Sequence, residues 1–256
     1  VWVTLVILVA IGVPYFAIIA TSLIKLRGYG LAAGNFTFDH YRELLTTPKA
    51  LAAIGKSLFL AVTAATVCSV IGTAVVVAVR KTEGFLKKAL EGVSLLPEML
   101  PSIVLVIGIM LFWNGIYKVL PLYNTIGIMV LAYVVLYLPY TVQYVTSSFT
   151  QINGSLLEAG RIFGGVPGYV FRRITLPMIS RGILAGWMMI FIISFRELVT
   201  ASLIAPPNTL VVSTYINREF EQGSVSLGMA MAVLCVVITT TALLLLNTLM
   251  GKKREV

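Results

Sequence analysis

Six long apolar segments, separated by shorter stretches that hold most of the charge, constrain the fold of this chain more than any other feature. A helix needs about 20 mostly apolar residues to cross the hydrocarbon core of a bilayer. The six candidate segments are residues 1–24, 57–79, 95–117, 125–148, 182–205 and 227–250. The sequence therefore predicts an all-α membrane protein with six transmembrane helices, forming one membrane domain over residues 1–256.

The composition supports the same class. Hydrophobic residues make up 59% of the chain and charged residues only 11%, whereas soluble domains carry about 25% charged residues. Cys68 and Cys235 both fall inside predicted spans and lack metal-ligand spacing, so neither a disulfide framework nor a metal site is expected.

The orientation follows from the basic residues, because Lys and Arg are enriched in cytoplasmic loops. Eleven of the nineteen basic residues follow the second, fourth or sixth segment. These are Arg80, Lys81, Lys87, Lys88, Arg161, Arg172, Arg173, Arg181, Lys252, Lys253 and Arg254. We therefore expect a multi-pass protein with both termini in the cytoplasm. The net charge of +9 is mostly this bias, and no nucleic-acid partner is expected.

The chain begins at Val1, already inside an apolar run and without a basic leader. This run is too long for a signal peptide and lacks a small-residue cleavage site. We expect a short cytoplasmic segment to precede it in the native protein.

The loop of residues 151–177, between the fourth and fifth segments, carries the most specific pattern. Glu158-Ala159-Gly160 is followed after three residues by Gly164, and after nine more by Ile174-Thr175-Leu176-Pro177. Four local signals describe the conformation of this loop. Ser155 and Glu158 form a capping-box pattern, Gly164 and Gly165 end that helix, Pro167 starts a second one, and Pro177 breaks or kinks the helix that it enters. The pattern predicts two short helices joined by a sharp bend.

The spacing of this loop resembles the cytoplasmic loop signature of permease subunits in ATP-binding-cassette (ABC) importers. That signature is Glu-Ala-Ala, three residues, Gly, nine residues and Ile-x-Leu-Pro, and only Gly160 departs from it. The resemblance extends over about residues 57–250 and is closest to the iron(III) subgroup, beside polyamine, phosphonate and sugar-phosphate permeases. It implies an ATPase-coupling helix that docks in a cleft of an ATPase subunit. The implied coupling residues are Glu158, Ala159, Gly160, Gly164, Ile174, Leu176 and Pro177.

The resemblance also implies partners. They are a second permease of the same or a homologous chain, two ATPase subunits, a soluble substrate-binding protein and the surrounding membrane lipid. ATP and Mg are expected in the ATPase subunits, because this chain has no Gly-x4-Gly-Lys-Ser/Thr loop. No cofactor and no catalytic residue is therefore expected in this chain. The implied substrate is iron(III), a phosphorylated small molecule, a polyamine or a phosphonate.

Two groups of polar side chains inside the predicted spans are candidates for the translocation pathway. Arg196 and Glu197 interrupt the fifth segment, where intramembrane charges usually face a cavity or a partner. They either line the pathway or form structural bonds between helices. Four tyrosines spaced four, three and four residues apart share one face of the fourth helix. These tyrosines, which either offer hydroxyls to a hydrated substrate or pack between helices, are Tyr133, Tyr137, Tyr140 and Tyr144.

Three further features predict local structure only. Pro139 is expected to kink the fourth helix. Gly228 and Ala232 form a small-residue pair that permits close approach of another helix. His40 is expected to be a solvated residue of the first outer loop, in a segment that could meet the binding protein.

Two other classes of protein are considered. A secondary transporter driven by an ion gradient usually needs more spans and a coupling carboxylate near the midplane, for which Glu197 is the candidate. A membrane-embedded enzyme needs clustered His, Asp or Glu, and the single His40 outside the spans argues against it.

Overall fold

The computed structural model describes residues 2–152 and 154–251. Within them, the regular structure is helical apart from one isolated antiparallel bridge between Ile24 and Phe36. The prediction of an all-α membrane protein is confirmed. The α-helices are α1 (Trp2–Ile7), α2 (Val13–Leu23), α3 (Asp39–Thr46), α4 (Pro48–Lys81), α5 (Gly84–Met99), α6 (Ser102–Gly115), α7 (Ile126–Thr150), α8 (Gly154–Ile162), α9 (Pro167–Val170), α10 (Leu176–Phe195), α11 (Val199–Ile204), α12 (Val212–Glu221) and α13 (Val225–Gly251).

Five helical stretches are long and apolar enough to cross a membrane among the residues that the structure describes. They are Trp2–Leu23, Pro48–Lys81, Ile126–Thr150, Pro167–Phe195 and Val225–Thr248. The first of them joins α1 to α2 through a π-helical turn, Leu8–Gly12. A sixth crossing results if the bent pair α5 and α6 counts as one span.

The third predicted span differs from the observed structure. The segment 95–117 is divided, because α5 ends at Met99 and α6 leaves it at an angle of 106°. Leu100 has an extended backbone with ψ 142°, as expected for a residue that precedes a proline, here Pro101. The 14 residues of α6 reach about 21 Å, less than the roughly 30 Å of a hydrocarbon core. Pro97 lies inside α5 and does not end it.

The fifth predicted span was placed too far along the chain. The apolar helix runs over Pro167–Phe195, not over 182–205. Pro177 does not break it, because the proline occupies the first turn of α10 directly after a π-helical turn, Phe171–Thr175. In a π-helical turn each amide donates to the carbonyl five residues earlier. The helix therefore continues through Pro177, although proline has no amide hydrogen to donate. The second short helix of the loop is therefore continuous with the span.

The chain divides into two compact units: Val1–Leu58 with Asn208–Val256, and Phe59–Pro207. In the first unit, α13 packs against α2, α3 and α12. A Cβ atom on Gly228 would lie 2.5 Å from the Phe220 ring, so this glycine permits close contact with α12. Ser57 accepts a hydrogen bond from the Val212 amide at 2.9 Å.

In the second unit, helices α4, α7 and α10 meet closely at Thr141. A Cβ atom on Gly72 would lie 2.6 Å from the Thr141 methyl group, and one on Gly186 would lie 3.3 Å from its Cα. Thr141 is fully buried. Because both glycines lack a side chain, the backbones of α4 and α10 can approach α7 from two sides.

Candidate coupling loop and translocation site

The loop between α7 and α10 contains a short helix that ends in a sharp turn. α8 ends at Ile162, and Gly164 then adopts φ +81°, the left-handed conformation that glycine tolerates. The Gly165 amide donates to the Gly160 carbonyl at 3.0 Å, which is the long hydrogen bond of a Schellman motif. Val166 is extended and Pro167 begins α9. The helix end at Gly164 and the helix start at Pro167 are therefore confirmed.

The predicted cap of this helix is wrong in detail. α8 starts at Gly154, so Ser155 lies in its first turn and is not the residue before it. The position that precedes the helix, residue 153, lies outside the described residues. Glu158 is exposed on α8, so its carboxylate is accessible.

The motif glycines also allow α8 to fold back on the start of the fifth span. A Cβ atom on Gly160 would lie 2.7 Å from Ile174 Cδ1, and one on Gly165 would lie 2.5 Å from the Gly160 carbonyl oxygen. Gly160, the position that departs from the signature, is thus in direct contact with Ile174, another motif residue. Ala159 is half-buried, whereas Leu176 and Pro177 are exposed in the first turn of α10.

The tip of the loop exposes large apolar side chains. Ile162 is 82% exposed and Phe163 is 90% exposed, on either side of the end of α8. Val166 and Tyr169 are also exposed. These residues lie outside the fixed positions of the sequence motif, although two adjacent apolar residues before a pair of glycines are a local signal. An exposed apolar tip on a compact turn is typical of a protein contact surface.

Glu197 lies in a short non-helical connection between two helices and not inside a helix. α10 ends at Phe195 and α11 starts at Val199, so Arg196 and Glu197 lie between two helices. The prediction that they lie inside the fifth span is therefore wrong. Arg196 is exposed and Glu197 is half-buried.

The Glu197 carboxylate accepts hydrogen bonds from two directions. The Tyr137 hydroxyl donates to Oε2 at 2.5 Å. The Thr200 amide and hydroxyl donate to Oε1 at 3.0 Å and 3.2 Å. Glu197 therefore accepts hydrogen bonds from the first turn of α11 and also links that helix to α7.

The four tyrosines of α7 do not share one environment. The rings of Tyr133, Tyr137 and Tyr140 follow one another, with centroid separations of 6.0 Å and 6.3 Å. Tyr133 and Tyr137 are buried, Tyr140 is half-buried and Tyr144 is exposed. Of these four residues, Tyr137 donates a hydrogen bond to Glu197.

A second pair of small residues was missed in the sequence. A Cβ atom on Gly182 would lie 2.1 Å from Ser148 Oγ and 2.7 Å from the Tyr144 carbonyl oxygen. With Gly186, this residue forms a small-x-x-x-small face on α10 that packs against α7. The spacing was visible in the sequence, but nothing local distinguished it from Gly228 and Ala232.

Two smaller expectations have structural outcomes. His40 is half-buried, and its Nε2 donates to the Ile24 carbonyl at 3.1 Å, so it is not simply solvated. Cys68 and Cys235 are free. The described residues contain no group of three or more His, Cys, Asp or Glu placed to hold a metal ion.

Comparison with known proteins places these features in a family. The profile of the "Binding-protein-dependent transport system inner membrane component" family matches residues 70–256. The spermidine/putrescine transport system permease protein PotC of Haemophilus influenzae is 24% identical over 95% of this chain and 92% of its own length. The Fe(3+)-transport system permease protein FbpB 2 of the same species is 33% identical over 45% of this chain and 23% of its own length.

The fold is also found in a solved structure. A chain in the crystal structure of a bacterial ABC transporter involved in the import of the acidic polysaccharide alginate superposes with a TM-score of 0.80. It is 16% identical and covers 98% of this chain and 92% of its own length. The similarities give no support to an ion-gradient-driven secondary transporter. With its apolar helices and the loop around Gly164, this chain belongs to the family of binding-protein-dependent transport system inner membrane components, the permease subunits of ABC importers.

Proposed function

We propose that the loop from α8 to the start of α10 is the surface on which an ATPase subunit docks. The observation that carries this proposal is the exposed apolar tip at Ile162 and Phe163, presented by a helix whose end is fixed by the Gly164 turn. Burial of both side chains in a cleft of a partner would remove a large apolar area from water. The exposed Glu158 carboxylate is then available to a basic group of the partner.

The remaining motif residues connect this surface to the fifth span. Gly160 lets α8 lie against Ile174, so a push on α8 is transmitted to the helix that continues through Leu176 and Pro177 into the fifth span. Ala159, like Gly160, is half-buried on α8. In this proposal ATP and Mg are bound by the ATPase subunits, and this chain converts their closure into movement of its helices.

The assembly that we propose contains two permeases, two ATPase subunits and a soluble binding protein. The structural support is the amount of apolar surface that the chain leaves uncovered. The most apolar part of Trp2–Leu23 has no buried residue, and the most apolar part of α13 is buried only slightly. Lipid covers part of this surface and a second permease, of the same or a homologous chain, covers the rest. A related solved structure holds an alginate ABC transporter with its periplasmic protein.

For the translocation pathway we propose the polar site at the end of α10, with Glu197 and Tyr137 at its centre. Tyr133, Tyr140 and Tyr144 extend this site along α7, and the exposed Arg196 lies at its edge. A carboxylate favours a cationic substrate, which agrees with the names of the polyamine and Fe(3+) permeases among the relatives. We therefore favour a polyamine or iron(III). A phosphorylated molecule or a phosphonate would instead make Arg196 the more important residue.

The coupling proposal is tested by substitution of Gly164, with Gly168 as the matched control. Neither position has an atom within 4 Å of an added Cβ, but only Gly164 has a positive φ. A side chain at Gly164 therefore strains the turn without filling space, at a cost of about 1–2 kcal/mol for alanine and more for valine. We expect Gly164→Val to reduce ATPase co-purification and transport-coupled ATP hydrolysis, with Gly164→Ala intermediate and Gly168→Ala close to wild type.

The readouts separate coupling from insertion. Membrane yield and the melting temperature of the permease are measured in parallel with ATPase capture. Normal capture and transport by Gly164→Val would contradict a docking turn at this position. Loss of yield in Gly164→Val together with normal coupling of the surviving protein would assign the glycine to folding alone.

A further inference from the structure

A cavity of about 420 Å³ in the first unit has no role in the function proposed above. It lies where α2 has just ended and α13 begins. Its lining includes Lys25, Arg27, His40 and Glu43 on one side, and the start of α13 with Ser226 on the other. A volume of this size is in the range of small-ligand sites.

The lining is positively charged overall. Lys25 and Arg27 contribute two cations and Glu43 one carboxylate. The N-terminus of α13, a helix of 27 residues, adds a partial positive charge and backbone N–H groups without helical partners. The charge of this cavity therefore favours an anion.

A hydroxyl in the cavity wall points to the same kind of ligand. Ser226 is only 7% exposed and lines the cavity, and its side chain makes no hydrogen bond to any residue that the structure describes. Its oxygen is reached from the cavity and is not sealed inside the protein, so the hydroxyl can donate to a ligand with acceptor oxygens.

The basic side of the cavity is held in place by the buried Asn35. Its Oδ1 accepts from the Leu26 amide at 2.9 Å, and its Nδ2 donates to the carbonyls of Leu26 and Gly30 at 2.8 Å each. His40 Nε2 donates to the Ile24 carbonyl and fixes its ring at the cavity wall. The segment that carries Lys25 and Arg27 is thus pre-organised for a ligand.

The position of the cavity along the spans distinguishes between anions. α2 and α13 each belong to an apolar stretch that can cross a membrane, and the cavity lies at the end of both. The side chains of α2 just below it, including Phe16 and Ile19, are exposed. A ligand with an anionic head and an apolar body matches this arrangement better than a free ion or an acidic protein segment.

We propose that this cavity binds the phosphate group of an anionic phospholipid. Lys25 and Arg27 pair with the phosphate oxygens, while Ser226 and the first N–H groups of α13 donate hydrogen bonds to them. The acyl chains lie along the exposed apolar surface of α2. Glu43 forms the wall next to the neutral part of the head group.

The test uses the assembled transporter, purified in detergent and examined by native mass spectrometry with added phosphatidylglycerol or phosphatidylcholine. The variants are Lys25→Gln with Arg27→Gln, and Ser226→Ala alone. The matched control is Arg42→Gln with Lys49→Gln, which removes two exposed cations from the same part of the chain but outside the cavity lining. Loss of both basic residues that pair with the phosphate predicts a weakening of roughly tenfold or more.

We expect wild type and the control pair to retain phosphatidylglycerol in preference to phosphatidylcholine. We expect the Lys25/Arg27 pair to lose this preference and Ser226→Ala, which barely perturbs the fold, to bind severalfold more weakly. Equal retention by the Lys25/Arg27 and Arg42/Lys49 pairs would overturn the proposal. Inorganic phosphate and a short oligoglutamate peptide serve as competitors, and displacement of phosphatidylglycerol by either at micromolar concentration would assign the cavity to that anion instead.

Discussion

At the scale of single residues, the environment of Glu197 differs between the sequence prediction and the structure. In the sequence it interrupts an apolar segment, whereas in the structure it lies at a break between two helices. Its carboxylate accepts hydrogen bonds from Tyr137 and Thr200. These donors offset the desolvation cost of placing a charge near apolar groups. This arrangement is compatible with a polar site on the pathway and also with a structural link between α7 and α11.

Two substitutions distinguish these roles of Glu197. Glu197→Gln removes the charge and keeps an acceptor for Thr200, while Tyr137→Phe removes one donor and keeps the charge. If the carboxylate attracts a cationic substrate, Glu197→Gln lowers uptake of putrescine, spermidine or iron(III) at least tenfold, and Tyr137→Phe lowers it only slightly. The amount of assembled complex is the control, and a similar loss of assembly in both variants would favour the structural role. Arg196→Gln is measured beside them, because selective loss of uptake in that variant would point to an anionic substrate.

A second residue, Glu219 on α12, predicts a dependence of stability on pH. Burial, with a smaller contribution from Glu43, raises the pKa of Glu219 above its usual value of 4.5, and Arg218 opposes this shift. A raised pKa in the folded state means that the protonated form is favoured by folding. The stability that this group contributes is therefore fully present below about pH 4.5 and is lost as the pH rises through the folded-state pKa.

We expect Glu219→Gln to raise the melting temperature at pH 7 and to leave it unchanged near pH 4. Thermal melts of the purified protein between pH 4 and pH 8 check this. A variant that is less stable than wild type at pH 7 would show that the ionised carboxylate is stabilising in the folded protein.

At the scale of helices, glycine contacts set the packing of the second unit. Gly72, Gly182 and Gly186 bring α4 and α10 against α7 at distances that leave no room for a methyl group at Gly182. In a membrane, where lipid and side chains are equally apolar, such close packing and not the hydrophobic effect holds helices together. The glycines of α10 are therefore stability determinants of the helix that follows the coupling loop.

Gly182→Ala tests this packing. The added Cβ would meet Ser148 Oγ at 2.1 Å and the Tyr144 carbonyl oxygen at 2.7 Å, and the second atom belongs to the backbone. Overpacking of this kind costs about 1–3 kcal/mol, so a lower melting temperature and lower yield are expected. Ser148→Ala in the same protein should restore only part of the loss. Gly108→Ala on α6, where an added Cβ meets nothing within 4 Å, is the control and should be neutral.

At the scale of the whole molecule, the topology depends on whether α5 and α6 cross the membrane together. Five helices are long enough to cross alone, and the bent pair supplies a sixth crossing only if it counts as one span. Six crossings place both termini on one side, in agreement with the basic residues of the loops. Five crossings would place them on opposite sides. We propose six, with both termini in the cytoplasm.

Cysteine labelling measures this topology directly. In a background where Cys68 and Cys235 are replaced by alanine, single cysteines are introduced between residues 206 and 223, between 158 and 168, and at Lys118. A membrane-impermeant reagent added to intact cells should label the first group and Lys118→Cys but not the second group. Labelling of the 158–168 group from outside would reverse the assignment. A further cysteine at Glu83, between α4 and α5, should be protected, and labelling of both Glu83→Cys and Lys118→Cys from outside would identify α5 and α6 as a re-entrant pair, because both ends of the pair would then lie on one side.

Much of this protein follows from local sequence. Long apolar runs must form helices in a membrane, because only a helix satisfies every backbone group within one segment. The end of α8 was also predictable, since Gly164 and Gly165 are residues that accept the turn found there. The motif of the loop between α7 and α10 is local in the same sense, and its residues come together because they lie close to one another in the chain.

Features that depend on contacts between residues far apart in the sequence are determined by the tertiary structure. Tyr137 and Glu197 are 60 positions apart, and no local pattern specifies that their side chains meet. The close approach of Gly182 to Ser148, the size of the 106° bend between α5 and α6, and the continuity of the Pro167 helix with the fifth span are likewise absent from local signals. Hydropathy specifies that a segment is helical and apolar, but the face that it buries and the residue at which it bends depend on packing between segments, which no single segment encodes.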